Sequence, residues 1–398
     1  MHMTHHDGGY SLFRADLTSC VMEHMTLLVA VDNAANDTVY PQFADFTFYG
    51  GIYRNVSLIG VPKAHFAMAP FGTPGLRVTP TIQGSSATVQ IDAELSGLSG
   101  DELLRLAILD GADVAVQATV PASACGAALT IPKVHRWHGR RDPFLYTCRA
   151  QLCRGERLLD ERVLRFGCRT CRIDPERGFI LNDEPYPLRG VCRHQDRPTI
   201  GNALLPEHHR EDIDLICEVG ANTIRLAHYQ HDQYFYDLCD ERGLVVWAEI
   251  PFISKYMPGG RDNTVSQMTE LITQCRHHAC IAVWGLSNEI TMRMEDPNDP
   301  DMVSDHRMLH ELAHRLDPTR LTTLAAISNC PTDALYIHIP DVVSYNLYFG
   351  WYGGSPAMTG EWLDRFHAQY PDRPIGIAEY GCEALNWHSA NPVCGDYS

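Results

Sequence analysis

The second half of the chain alternates short apolar runs with amphipathic helical stretches, and this alternation restricts the fold more than any other feature. Seven apolar runs recur after residue 174, at 188–192, 222–228, 244–250, 281–287, 321–328, 342–348 and 375–381. Two of the helical stretches between them reach Gly220 and Gly243, which predicts helix C-caps there. Because strands separated by helices pair in parallel, the pattern predicts a (β/α)8 barrel over residues 174–398.

The first 173 residues show a different pattern, with strand and turn signals but no helical period. Residues 62–173 contain about seven short alternating runs, the number typical of an immunoglobulin-like β-sandwich. Residues 1–61 contain alternating runs at 25–33 and 50–61, which predict two strands of another sandwich. We therefore expect a multidomain protein that combines two all-β units with one α/β barrel.

Both ends of the chain leave these units short of strands. The seventh barrel run ends near residue 381 and the sequence ends at 398, which leaves too little room for an eighth strand and its helices. The opening sandwich has too few strands to close on itself. We therefore expect an internal fragment whose barrel is truncated after strand seven.

The charge balance restricts the class of partner. The formal net charge is −17, from 32 Lys and Arg against 49 Asp and Glu. This balance disfavours nucleic acid and anionic membranes as partners, because both need a basic face. The opening residues lack the apolar core of a secretion signal, and no apolar run is long enough to cross a membrane.

The cysteines indicate a reducing compartment. Most of the 14 cysteines stand singly inside apolar runs, where a free thiol packs as a small hydrophobe. The one close pair, Cys168 and Cys171, lacks the second pair that a zinc site would need. We therefore expect reduced thiols and a cytoplasmic location.

Polar side chains gather at the ends of the predicted barrel strands. In a (β/α)8 barrel the functional groups lie at the C-terminal ends of the strands. Six of the seven readable strands end in carboxylates, amides, imidazoles or phenols, and packing alone does not explain such a ring. The candidates are His194 and Asp196, Asn222, Arg225 and His228, Glu249, Asn288 and Glu289, Tyr345, Asn346 and Tyr348, and Glu379 and Tyr380.

Two of these carboxylates suit the cleavage of a glycosidic bond. Glu289 and Glu379 end strands four and seven, roughly opposite one another across the predicted mouth. Such a reaction needs one acid that protonates the leaving oxygen and a second carboxylate that attacks the anomeric carbon or activates water. A cation such as Arg225 would keep Glu379 ionised, and Glu289 would need a less polar setting to stay protonated.

Other polar and aromatic groups suit the sugar itself. Asn288 offers two donors and one acceptor for the 2-hydroxyl group next to the reacting carbon. Rings such as Tyr348 and Trp387 suit the C–H faces of a sugar, although ordinary packing explains each ring equally well.

The motifs WGLSNE, AEYG, RGVCRHQD, NTIRLAHYQHD and DFTFYGGIYRNV together resemble those of glycoside hydrolase family 2, most closely its β-galactosidases. The resemblance implies a partial jelly-roll sandwich at 1–61, an immunoglobulin-like domain at 62–173 and a catalytic TIM barrel at 174–398. It implies a retaining double displacement with Glu289 as acid/base and Glu379 as nucleophile. Their carboxyl groups should then lie about 5–5.5 Å apart.

The resemblance also implies how the neighbouring residues act on a terminal β-galactose. His194 and His228 would contact the sugar or its leaving group, and Arg225 and Tyr348 would attend the nucleophile. Asp45, six residues before the GIYR turn, would reach the mouth and hold the outer hydroxyls; the alternative is a turn-capping aspartate. We expect β-galactosides as the substrates, and a homo-oligomer stays open.

The sequence departs from the family pattern in one place. Magnesium-dependent members carry a Glu and a His just beyond strand three, where this chain has Ile253 and Lys255. We therefore assign no metal ligands and no required cofactor, and leave a Mg²⁺ or Na⁺ ion open.

Two other interpretations remain. One is a β-glucuronidase of the same family, which would carry an Asn-x-Lys motif beyond the nucleophile. The other is an inactive carbohydrate-binding fragment, because an open seven-stranded barrel exposes two strand edges.

Overall fold

A computed structural model describes residues 4–68 and 70–382 of the chain, and all the statements below refer to these ranges. The strands in chain order are β1 (His65–Phe66), β2 (Leu76–Gln83), β3 (Ser86–Ala93), β4 (Leu95–Ser96), β5 (Glu102–Asp110), β6 (Asp113–Pro121), β7 (Gly126–Ile131), β8 (Tyr146–Arg154), β9 (Arg157–Phe166), β10 (Cys171–Asp174), β11 (Gly178–Leu181), β12 (Glu184–Pro185), β13 (Gly190–Arg193), β14 (Thr223–Leu226), β15 (Val245–Glu249), β16 (Ile281–Asn288), β17 (Leu321–Ala325), β18 (Val343–Asn346) and β19 (Ile375–Glu379). The α-helices are α1 (Pro206–Glu218), α2 (Gln233–Arg242), α3 (Arg261–Cys275), α4 (Pro300–Leu316) and α5 (Met358–Gln369).

The last seven strands form the parallel sheet that the sequence predicts. Strands β13 to β17 pair in sequence order, and β18 pairs with β19. Parallel bridges from Thr323 to Val342 and from Ala326 to Tyr345 join the two groups. Helices α1 to α4 fill the first four connections and α5 the last, whereas a short 3₁₀ turn at Leu335–His338 lies between β17 and β18. All seven predicted strands are confirmed, each with ends within a few residues of the expected ones.

The barrel core explains why these runs are so apolar. All eight residues of β16 are buried, because the barrel interior covers one face and helices cover the other. Helix α4 turns Met302, Leu309 and Ala313 toward this core, in the spacing of an amphipathic helix.

Residues 65–166 form the antiparallel sandwich. One sheet has the order β2-β3-β7 and the other β6-β5-β8-β9. Inward residues alternate along the strands, as at Leu104, Leu106 and Ile108 of β5. The indole N–H of Trp137, which is fully buried, donates to the Asp240 carbonyl at 3.0 Å and so ties the sandwich to the barrel.

The predicted strands at 25–33 and 50–61 are wrong. The described residues before His65 contain no strand, and the apolar side chains of these two runs are largely exposed, as at Leu28 (90%) and Val56 (71%). The physical reason is that an alternating run becomes a strand only where a second strand accepts its hydrogen bonds. No such neighbour lies beside either run within residues 4–68 and 70–382.

Part of this first segment nevertheless packs firmly on the barrel. Tyr40 is 2% exposed, its ring lies 5.0 Å from that of Phe252, and its hydroxyl accepts a hydrogen bond from the Met257 N–H at 2.6 Å. The Tyr40 N–H donates to the Asn263 side chain at 2.9 Å. These contacts place residues after Tyr40 over the C-terminal ends of the barrel strands.

Two further properties concern the helices and the cysteines of the described residues. None of their helices is long and apolar enough to span a membrane. Their cysteines are all free thiols, and Cys168 is fully buried, in agreement with a packing role.

We predict that Gly243→Ala destabilises the fold more than Gly220→Ala. Both glycines have positive φ (71° and 83°), so either Cβ costs about 1–2 kcal/mol. A Cβ at Gly243 would in addition overlap the carbonyl oxygen of Gly139, whereas one at Gly220 would meet open space. Urea unfolding measures the two losses, and equal losses would contradict the close contact between α2 and the Gly139 turn.

Candidate active site

The C-terminal ends of four barrel strands bring one group of polar side chains together. Arg225 lies in β14, Glu249 ends β15, Asn288 ends β16 and Glu379 ends β19. Glu289 follows β16 directly with a φ of 45°, a left-handed conformation that costs a non-glycine residue on the order of 1–3 kcal/mol. Its backbone N–H donates to the Ala325 carbonyl at 2.8 Å, which helps to hold it there.

Arg225 lies at the centre of this group. Its Nε and one terminal nitrogen donate to the two oxygens of Glu249 at 2.9 Å each. Its other terminal nitrogen donates to Glu379 Oε1 at 2.6 Å. A further bond of 2.8 Å runs from Arg225 to Asn288 Oδ1. The side chains of Arg225 and Glu249 are 4% and 1% exposed, so each charge depends on the other for its burial.

Glu379 lies where its carboxylate is stabilised. Burial by itself would raise the pKa of Glu379, but the charge of Arg225, the ring of His228 and a hydrogen bond from Tyr348 outweigh burial. The Tyr348 hydroxyl donates to Glu379 Oε2 at 2.6 Å. The pKa of Glu379 therefore lies below its usual value, and the group is ionised at neutral pH.

Glu289 lies in the opposite situation. Burial raises its pKa, and the charge of Glu379 raises it further. The hydrogen bond that Asn346 Nδ2 donates to Glu289 Oε1 at 2.9 Å acts in the other direction, as do the charges of His228 and Arg225, but these effects do not cancel burial. The mouth thus holds one carboxyl group biased toward the protonated form and one biased toward the ionised form, which is the pairing that acid-assisted glycoside cleavage uses.

An aromatic wall lies beside the two carboxyl groups. The ring of Phe46 lies 4.9 Å from that of His194, 5.4 Å from Tyr229 and 5.9 Å from His228. Burial and the neighbouring His228 lower the pKa of His194 to about 4, so its imidazole is neutral at neutral pH. Asp45 is exposed, but it lies near enough for its charge to act on His194.

Most of the residues that the sequence singles out meet at this mouth. The hydrogen-bonded cluster contains Arg225, His228, Asn288, Glu289, Tyr348 and Glu379. His194 and Asp45 lie at its side, and Trp387 lies outside the described residues. The separation of about 5–5.5 Å between the two carboxyl groups stays a prediction.

Sequence reasoning missed three contributions to the site. Asn346 was visible as a polar end of strand six, but nothing in its neighbourhood linked it to Glu289. Glu249 was a candidate at the end of strand three, but the sequence did not reveal its partners: it carries the partner charge of Arg225 and accepts from His228 Nδ1 at 2.8 Å. Phe46 reaches the mouth from the segment before the sandwich, and no periodicity could reveal that contact.

Two clusters away from the mouth offer donor atoms that a divalent metal could use. One contains Asp240, His278 and Cys280, all buried, and the other contains His310, His314 and Asp341. Hydrogen bonds already account for the proximity of these groups, such as those of 2.7 Å from His278 to Asp240 and 2.9 Å from His314 to Asp341. We assign no metal to either cluster.

We predict that Arg225→Met lowers the free energy of unfolding by about 3–5 kcal/mol, because it leaves the Glu249 carboxylate buried without a cation. The double variant Arg225→Met/Glu249→Gln also removes the unpaired buried charge of Glu249 and should recover part of this loss of stability. Urea unfolding of the wild type and the variants near neutral pH measures both effects. A double variant no more stable than Arg225→Met would contradict this account of the pair.

Comparison with known proteins identifies two domains of one family in the chain. The profile of the glycosyl hydrolase family 2 TIM barrel domain matches residues 175–392, and a second profile of glycosyl hydrolase family 2 matches residues 74–169. A β-glucuronidase of Bacteroides fragilis is 37% identical to this chain, over 98% of the chain and 58% of its own length.

Solved structures give the same result. An FMN-binding β-glucuronidase from Facaelibacterium prausnitzii L2-6 superposes with a TM-score of 0.88 at 45% identity, covering 92% of this chain and 57% of its own. A putative β-galactosidase from Bacteroides fragilis superposes with a TM-score of 0.85 at 32% identity, covering 92% and 56%. The chain therefore spans between 56% and 58% of the length of these relatives. It belongs to glycosyl hydrolase family 2.

Proposed function

We propose that the protein hydrolyses β-glycosides with retention of configuration, with Glu379 as nucleophile and Glu289 as acid/base. The observation that carries this proposal is the opposite bias of the two carboxyl groups at one barrel mouth. The pKa of Glu289 is raised by burial, and that of Glu379 is held down by Arg225 and Tyr348. A nucleophile must be ionised and a general acid protonated, and the two pKa values are shifted in the directions that these roles require.

The reaction follows from this arrangement in two steps. In the first, Glu379 attacks the anomeric carbon while Glu289 gives its proton to the glycosidic oxygen, so that a glycosyl ester forms and the aglycone alcohol leaves. In the second, the ionised Glu289 takes a proton from water, the hydroxide attacks the anomeric carbon, and the ester bond to Glu379 breaks. Each residue ends in its starting protonation state.

The neighbours of the two glutamates assist at defined points. Arg225 and Tyr348 bind the oxygens of Glu379 and keep the carboxylate fixed for attack. The Oδ1 of Asn288 accepts from both Arg225 and Asn346, which leaves its amide N–H groups free to bind the sugar 2-hydroxyl.

The mouth also has groups for the outer part of the sugar. His194 and His228 would contact the sugar from the side of the aromatic wall, and Asp45 would accept hydrogen bonds from the outer hydroxyls.

For the sugar itself, we propose a β-glucuronide in place of the β-galactoside that the sequence motifs favour. The two most similar relatives described above carry the name β-glucuronidase, at 37% and 45% identity. The putative β-galactosidase is less similar, at 32%. The negative net charge does not oppose a uronate, because recognition of one carboxylate needs only a local cation.

We predict that the purified protein in its full natural length releases nitrophenol from 4-nitrophenyl β-glucuronide faster than from the matching galactoside, mannoside and glucoside. Glu379→Gln should abolish turnover, since no nucleophile remains. Glu289→Gln should lower kcat/KM by about 10²- to 10⁴-fold, the usual contribution of a general acid. The loss should be greater for phenyl than for 4-nitrophenyl glucuronide, because phenol leaves poorly without a proton.

The exposed Glu361 on α5 provides a control, and Glu361→Gln should leave turnover unchanged. Faster release from the galactoside would overturn the choice of sugar and keep the mechanism. An unimpaired Glu379→Gln variant would overturn the mechanism as well.

We predict that two neighbouring substitutions move opposite limbs of the pH profile of kcat/KM. Tyr348→Phe removes a hydrogen bond to Glu379, so the pKa of Glu379 rises. A higher pH is then needed to ionise the nucleophile, and the acid limb moves to higher pH. Asn346→Ala removes the bond to Glu289, so the pKa of Glu289 rises and activity extends to higher pH on the alkaline limb.

Initial rates at substrate concentrations well below KM yield both profiles. If Tyr348→Phe moved only the alkaline limb, or Asn346→Ala only the acid limb, the assigned roles of the two glutamates would have to be exchanged.

A further inference from the structure

Arg293 lies on the rim of the mouth, one turn beyond Glu289. Hydrogen bonds from Met292 N–H to the Glu289 carbonyl (2.9 Å) and from Met294 N–H to the Thr291 carbonyl (3.1 Å) fold this turn. Arg293 is exposed, and its guanidinium carbon lies 3.5 Å from the ring centre of Phe43. This is a cation–π contact, and it is not an ion pair that would neutralise the guanidinium.

Lys255 reaches the same part of the rim from the neighbouring strand. Ile253 forms a parallel bridge with Asn288, and the Ser254 N–H donates to the Asn288 carbonyl at 2.9 Å. The next residue, Lys255, is exposed. Lys255 and Arg293 therefore flank the short stretch that ends in Glu289, one from the loop after β15 and the other from the loop after β16.

Neither cation is neutralised within residues 4–68 and 70–382, where no ion pair to Lys255 or Arg293 is formed. The nearest acidic residues in sequence serve other purposes. Asp296 accepts from the Asn298 N–H at 2.8 Å, and Asp299 caps α4 by accepting from two N–H groups. Glu295 makes no ion pair with Arg293. In a chain with a net charge of −17, two cations without an ion-pair partner among the described residues, on loops that both adjoin the Asn288–Glu289 stretch, form a local exception.

The position of this pair defines which part of a substrate it would meet. A general acid must reach the glycosidic oxygen, and the aglycone extends from that oxygen away from the sugar. Residues on the rim next to Glu289 therefore border the aglycone. Residues near Glu379, such as His194, would border the sugar.

We propose that Lys255 and Arg293 form a binding subsite for an aglycone that carries a carboxylate or another anionic group. The subsite rests on the proposed function, since it assumes that Glu289 faces the leaving group. It adds a preference among substrates that share one sugar, because a cation pair at the rim attracts the charged aglycone and leaves the neutral one unaffected.

Two glucuronides with matched aglycones test the subsite. One carries 3-carboxy-4-nitrophenol and the other its neutral isostere, 3-carboxamido-4-nitrophenol, and the measured quantity is the ratio of their kcat/KM values. Arg293→Gln and Lys255→Gln should each lower this ratio about threefold and the double variant about tenfold, the range of partly exposed ion pairs. Increasing ionic strength should lower the ratio in the wild type and change it little in the double variant.

Arg157 provides the matched control, because it is exposed, lies on the sandwich and forms no ion pair within the described residues. Arg157→Gln should leave the ratio and its salt dependence unchanged. A ratio that is equal in the wild type and the double variant, with turnover of both glucuronides intact, would overturn the subsite and leave the proposed function standing.

The subsite can still be tested if the proposed hydrolysis is not observed. If the wild type turns over neither glucuronide, equilibrium binding of both compounds to the Glu379→Gln variant, measured by titration calorimetry, still decides the question. Tighter binding of the carboxylated compound that depends on Arg293 would support the subsite. Equal binding of the two compounds, or no binding of either, would overturn it.

Discussion

The active-site mouth depends on one buried cation. Arg225 is 4% exposed and binds side chains from the ends of three other strands, β15, β16 and β19. A guanidinium can occupy such a position only if carboxylates neutralise it, because an unpaired buried charge costs several kcal/mol. Glu249 meets most of this requirement through two bonds. Glu379 is therefore not the principal partner of Arg225. Its carboxylate is still stabilised by one bond from Arg225, and its second oxygen accepts a hydrogen bond from Tyr348.

The difference between the two glutamates follows from the position of this cation. Both carboxyl groups are largely buried, and burial raises the pKa of each. Glu379 lies in direct contact with Arg225, whereas Glu289 receives only a neutral amide hydrogen bond from Asn346. A charged donor stabilises an anion more strongly than a neutral one. Direct contact with Arg225 therefore contributes most to separating the two pKa values, and His228 and Tyr348 act on Glu379 in the same direction.

The sequence predicts those features that depend on local pattern and on chain order. Seven apolar runs between helices become seven parallel strands, and a parallel sheet puts Arg225, Glu289 and Glu379 at one edge. The contacts made by Asn346 depend on the relative rotation of β16 and β18, which no local pattern contains. The run at 25–33 alternates as a strand should, yet it forms none. An alternating pattern predicts which side chains would share a face of a strand. The strand itself forms only where a neighbouring strand supplies the backbone hydrogen bonds.

The same distinction explains why the motifs lead to the reaction more directly than to the sugar. In the proposed reaction Glu289, Glu379, Arg225 and Tyr348 would act at the anomeric carbon and its oxygen, where galactosides and glucuronides are chemically alike. The two sugars differ at C4 and C6, at the far side of the ring. Under the proposed function, groups that bind there would come from loops and from the segment containing Asp45 and Phe46, whose positions depend on long-range packing. Motifs at strand ends would then determine the chemistry of bond cleavage, while the choice of sugar would depend on less regular parts of the chain.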